Sequence, residues 1–149
     1  NPSINLLLAV SPVRHIKDGL LENALSKSKL RMLCDEFQKQ LTDVHYFPSY
    51  EIMMDDLRDY RFYKGDMIHP NEVAEHYIWE LFQEVYFDSK TQQFIKEWKK
   101  IKDALAHKPF NPKSKNHKNF LYQTLLQLRL FTELVDVTHE EKILKEQLP

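Results

Sequence analysis

At 149 residues the chain is long enough to bury one core of useful size. Hydrophobic residues at 42% and charged ones at 29% are the balance of a globular protein, and a formal net charge of -1 supplies no field to recruit nucleic acid or an anionic membrane. The single cysteine, Cys34, excludes an internal disulfide framework or a cysteine-based zinc site and fits a reducing, cytoplasmic compartment.

Asn1-Pro2 opens the chain without a methionine, which reads as a processed or truncated start. No basic region followed by a small-residue cleavage site is visible, so no signal peptide is expected. The longest apolar run, Leu6 to Val10, falls far short of a membrane span. Ile4 to Val10, ended by Ser11-Pro12, reads instead as a buried strand. Asp18-Gly19 marks a turn, after which Ser26 or Ser28 can cap a helix carrying Leu30, Leu33, Phe37 and Leu41 at helical spacing. Val44 to Phe47, closed by Pro48, reads as a second strand. Strand, helix, strand is a βαβ unit, expected right-handed with parallel strands.

Tyr50 to Lys64 is aromatic and charged with little period of either kind. Asn71 starts the clearest helix, with an apolar stripe through Val73, Ala74, Tyr77, Ile78, Leu81, Phe82 and Val85. Two more helices follow, at about 90–106 and 117–135, separated by a linker that Pro109 and Pro112 keep out of helix. The last residues, from Thr138, read as a short helix or a frayed tail. Nine lysines between Lys90 and Lys118 are interrupted by Glu97 and Asp103, as on a solvated helix face. The division implied is 1–87 as an α/β portion and 88–149 as a helical extension.

Two strands are few for an α/β domain, since both want cover and the sheet has two open edges. Either further strands belong to a longer protein, or the chain hides its edges by forming a homo-oligomer. With two glycines in all, Gly19 and Gly65, phosphate-cradling glycine loops are excluded.

The chemistry-bearing candidate is Asp66-Met67-Ile68-His69, placed between the second strand and the strongest helix. A hydrolytic histidine needs one fixed tautomer, and a carboxylate on its Nδ1 side provides that while stabilising the imidazolium. In a tight turn, three residues of separation let the aspartate reach back to the ring. The spacing alone is not specific, because Asp136-Val137-Thr138-His139 repeats it after the last long helix. Asp66 and His69 also suit the plainer roles of turn and capping residues. Ser11 and Ser49, at strand ends, read as hydroxyls satisfying backbone rather than as nucleophiles. Arg14 and His15, just past a strand's carboxyl end, are candidates to contact substrate or to anchor the loop. Glu51, Arg58, Asp59 and Arg61 are expected to brace the irregular segment as a charge network, and Cys34 to be a buried thiol. His69 and His76 have no third partner for a metal, so neither metal nor cofactor is expected.

Four blocks in order, Ser11-Pro12-Val13-Arg14-His15, Tyr46-Phe47-Pro48-Ser49-Tyr50-Glu51, Asp55 to Tyr63, and Asp66-Met67-Ile68-His69-Pro70, resemble signature blocks of the GSCFA domain family. That family is grouped with the SGNH, or GDSL-like, hydrolases. The resemblance runs from about Ser11 to Phe82. It implies an α/β, flavodoxin-like three-layer fold, present here as a helix-rich carboxy-terminal portion. It also implies a Ser-His-Asp triad in which His69 and Asp66 match the carboxy-terminal pair, acting on a small acyl or acetylated substrate. The family's amino-terminal Gly-Ser block has no counterpart, since the sequence contains no Gly-Ser pair. The Gly-x-Asn-Asp block of many SGNH enzymes is missing too. A chain with base and orienter but no nucleophile is expected to be inactive by itself. The alternative is a non-enzymatic domain that binds glycan or protein.

Overall fold

The computed structural model describes residues 4–148. The chain divides into two compact units, the first ending at Tyr86 and the second starting at Phe87. Most of the described chain is helical, with one two-stranded sheet.

The first unit opens with β1 (Leu6–Leu8), α1 (Leu20–Gln40) and β2 (Val44–Tyr46). The strands pair in parallel, Leu6 against Val44 and Leu8 against Tyr46, and are locked at the ends by Leu6 N–H to Asp43 O and Phe47 N–H to Leu8 O, both 2.8 Å. The expected βαβ unit is therefore present. Two of its details differ from expectation. β1 is not a buried strand: Leu6 and Leu7 are 46% and 40% exposed, because a sheet of two strands leaves much of its surface uncovered. Of the hydrophobic residues from Ile4 to Tyr46, only Val10 and Val44 are buried. The helix starts at Leu20, ahead of Ser26 and Ser28. Gly19, at a φ of 89°, forms the entry, where glycine adopts a positive φ at no steric cost. Ser28 then bonds back to Ala24 O at 3.0 Å from within the helix. The stripe of Leu30, Leu33, Phe37 and Leu41 is exposed, and Cys34 beside it is half-buried rather than buried.

After β2, the segment read as irregular contains α2 (Ser49–Met54) and a 3₁₀ turn (Tyr60–Phe62). Six residues are too few to show a helical period, yet α2 supplies the centre of the core. Ile52, Met53 and Leu57 pack with Phe47, Tyr63 and Ala74, and Met53 has no exposure at all. α3 (Glu72–Tyr86) closes this core with Ala74, Ile78, Leu81 and Phe82, while Val73 and Val85 of the expected stripe face outward. Phe82 meets Phe47 edge to face at 5.1 Å between ring centres, a favoured aromatic geometry.

The second unit holds α4 (Ser89–Ala106), α5 (Lys115–Leu128) and α6 (Thr138–Gln147). Asp88 caps α4 through Thr91 N–H at 2.7 Å, and Ser114 caps α5 through His117 N–H at 3.1 Å. α5 stops at Leu128, short of the expected Val135, and tightens into a 3₁₀ turn over Arg129–Phe131. The three helices share a core of Ile101, Leu121, Leu125, Leu128, Val137 and Leu144.

Candidate active site

The loop from Tyr63 to Asn71 is closed by backbone pairing. Tyr63 and Pro70 form an isolated antiparallel bridge, Lys64 N–H reaches His69 O at 2.8 Å, and Asn71 N–H reaches Phe62 O at 2.9 Å. Asn71 adds its side chain, donating from Nδ2 to Arg61 O at 2.6 Å and accepting from Val73 and Ala74 N–H to start α3. Inside this frame Met67 takes a φ of 60°, a left-handed conformation uncommon for a residue with a side chain.

That turn folds Asp66 back over its own successors. Asp66 Oδ1 accepts from Ile68 N–H at 2.8 Å and His69 N–H at 3.0 Å, while Oδ2 lies 2.7 Å from His69 Nδ1. The His69 ring, and after it the two backbone N–H groups, hold the Asp66 carboxyl well below the usual carboxylate range. With Nδ1 facing a carboxylate, His69 presents Nε2 as its remaining nitrogen, and the side chains are half-exposed, at 53% for His69 and 43% for Asp66. The second Asp-x-x-His is built otherwise. Asp136 Oδ1 accepts from Thr138 N–H at 2.9 Å and Thr138 Oγ1–H at 2.6 Å at the start of α6.

Arg14 arrives at the loop from the segment after β1. Its backbone N–H meets Ile68 O at 3.2 Å and its Nη1 donates to Met67 O at 3.1 Å. The guanidinium lies 4.3 Å from the centre of the Tyr63 ring and 5.3 Å from that of Tyr60, within cation–π range. His15 turns elsewhere: its N–H donates to Asn23 Oδ1 at 2.7 Å and its Nε2 stands 3.6 Å from Asp18 Oδ2. The structure thus brings Asp66, His69 and Arg14 together and leaves His15 beside Asp18. Ser11 accepts from Val13 N–H at 3.2 Å, and the buried Ser49 hydroxyl donates to Val10 O at 2.9 Å.

The expected charge network is divided differently. Arg58 binds Asp55 at 2.8 Å and Met54 O at 3.1 Å, and Arg61 approaches Asp59 only at 3.9 Å. Glu51 joins neither. It pairs with Arg31 of α1 at 3.0 Å and accepts from the Tyr46 hydroxyl at 2.8 Å, with the Arg31 guanidinium 4.4 Å from the Tyr46 ring centre. Burial, then the Glu51 carboxylate, pushes the Tyr46 phenol up. Lys27 is buried nearby, donating to Ser11 O at 2.6 Å, and burial lowers its ammonium. Lys27, Arg31 and Tyr46 join these contacts across separations that no local motif reveals. Among the described residues, no three His, Cys, Asp or Glu side chains are placed to hold a metal ion, and no helix is long and apolar enough to cross a membrane.

The model of the GSCFA family matches residues 1–82, and that of the GSCFA domain protein, C-terminal domain, matches residues 98–149. The second match takes in the latter half of α4 together with α5 and α6. No curated protein and no solved structure matches. With the first match covering more than half of its length, the chain belongs to the GSCFA family.

Proposed function

We propose that this chain carries the base-and-orienter arm of a serine ester hydrolase of SGNH type, acting on a small acyl or acetylated substrate in the cytoplasm. The observation that carries this reading is the 2.7 Å contact between Asp66 Oδ2 and His69 Nδ1, with Asp66 itself fixed by two backbone donors. In that arrangement His69 Nε2 takes the proton of a serine hydroxyl as it attacks the ester carbonyl, then returns it to the departing alcohol. Asp66 keeps the ring in the productive tautomer and stabilises the imidazolium. The nucleophile belongs to a part of the protein outside this sequence, which has no Gly-Ser pair. On this reading the full fold is flavodoxin-like, and its remaining strands and helices cover the apolar residues that β1 and α1 leave exposed. The chain alone is inactive, and its uncovered faces drive self-association.

The test is acetyl-ester cleavage by the protein that includes the upstream segment, measured beside His69→Ala and Asp66→Asn. Loss of about 10⁴–10⁶-fold is expected, larger for His69→Ala than for Asp66→Asn, the scale on which triad members act. Rates equal to the unsubstituted protein would end this reading. A binding role without catalysis is favoured by one observation, the lack of a Gly-Ser pair. It predicts equal rates in all three proteins.

A further inference from the structure

Lys27 of α1 is 7% exposed, and among the described residues it is the only Lys, Arg, Asp or Glu so deeply buried. Burial alone lowers its ammonium, with no neighbouring carboxylate opposing the shift. Its contacts are the Ser11 carbonyl, at 2.6 Å, and the Tyr50 ring, whose centre lies 5.9 Å away. Removing a charge from water without an anion is costly, and an apolar side chain of that length would serve packing as well or better. What the ammonium adds is a fixed place for the Ser11 carbonyl.

Asn23 stands one turn earlier on the same face of α1 and accepts from His15 N–H at 2.7 Å. Lys27 and Asn23 thus grip both ends of the segment from Ser11 to His15, and Arg14 lies between the two grips. From there Arg14 N–H meets Ile68 O at 3.2 Å and its Nη1 donates to Met67 O at 3.1 Å. Ile68 N–H is in turn bonded to Asp66 Oδ1, so the segment meets the same turn that sets Asp66 against His69.

We infer that Lys27, together with Asn23, is a positioning residue for the Asp66–His69 pair, acting through the Ser11 to His15 segment and Arg14. Its meaning for catalysis rests on the hydrolase reading, whereas its geometry is read at His69 without turnover.

The tautomer of the neutral His69 ring, followed in the full chain labelled with ¹⁵N at histidine, tests it. The His69 signals are those lost in His69→Gln. Asp66 faces Nδ1, so the Nδ1–H form dominates, and the nitrogen shifts report its ratio to the Nε2–H form. Lys27→Met keeps the buried stem and removes the donor. It should lower that ratio by about threefold, part of the effect of one net hydrogen bond. Asn23→Ala should act in the same direction, and Asn23→Asp, which keeps the acceptor, should restore the ratio. Lys39→Met, on an exposed lysine of α1 paired with Asp35, should leave it unchanged. A ratio in both Lys27→Met and Asn23→Ala equal to that of the unsubstituted chain would overturn the inference, as would an equal fall in Lys39→Met. In the protein that includes the upstream segment, Lys27→Met should also lower kcat for acetyl-ester cleavage by about threefold with KM unchanged. Absence of any cleavage there would end the hydrolase reading and leave the His69 ratio to decide this inference.

Discussion

Arg14 donates from its guanidinium to the backbone carbonyl of Met67, 3.1 Å away and 53 positions later in the chain. The segment after β1 is therefore the brace of the loop that holds Asp66 and His69. Arg14→Lys keeps the charge but loses the planar group that lies over Tyr63 and Tyr60 while reaching that carbonyl. Amide exchange at Met67, Ile68 and His69 should accelerate by about tenfold, the effect of losing one net hydrogen bond. Unchanged exchange would show that the backbone pairing holds the loop unaided.

Met67 sits at a φ of 60° and is 41% exposed. A side-chain-bearing residue in that region is strained, and relief of that strain should outweigh the packing of a half-exposed side chain. Met67→Gly should raise stability by about 0.5–1 kcal/mol, seen as a later midpoint in urea. A drop in the midpoint would mean that the methionine packs better than its exposure suggests.

The depressed Asp66 carboxyl gives the loop a defined response to acid. A carboxylate with a lowered folded pKa contributes its stability fully above the unfolded value of about 3.9 and loses it as pH falls through the folded one. The acid transition that Asp66 imposes on the amide signals of Ile68 and His69, both bonded to it, should lie below pH 4. A midpoint at the ordinary aspartate value would contradict the geometry. Asp66→Asn should abolish the transition.

Met53 and Leu144 are fully buried, one in each unit's core. Truncating either to alanine removes apolar contacts and leaves a cavity, so each substitution should cost about 2–5 kcal/mol in chemical denaturation. A loss under about 1 kcal/mol would mean that the neighbours collapse into the space.

What sequence could show was whatever is local. The βαβ order, α3 and its Asn71 start, and the Asp66 reach-back to His69 all lie within a few residues of their causes. The sequence pattern puts the start of α1 too late because Ser26 and Ser28 have the chemistry of caps, while Gly19 makes the entry through conformation alone. α2 is shorter than two full turns, and its membership in the core comes from contact with α3 and Tyr63 rather than from periodicity. Spacing along the chain points Glu51 to Arg58 and Arg61, but Arg31, brought in by the packing of α1, is the cation it meets. Contacts of that kind depend on topology, and residue spacing does not encode them.

The parallel pairing of β1 with β2 encloses a 21-residue helix, and this orders events in folding. A helix winds on roughly the microsecond scale from local contacts, whereas a parallel ladder must first bring distant segments together. α1 should therefore wind before the ladder forms, and the nascent protein waits with strand edges open, the interval in which intermolecular aggregation competes. Transition-state analysis should find Leu7 contacts nearly unformed beside substantially formed ones along α1; the reverse pattern would mean that the ladder nucleates folding.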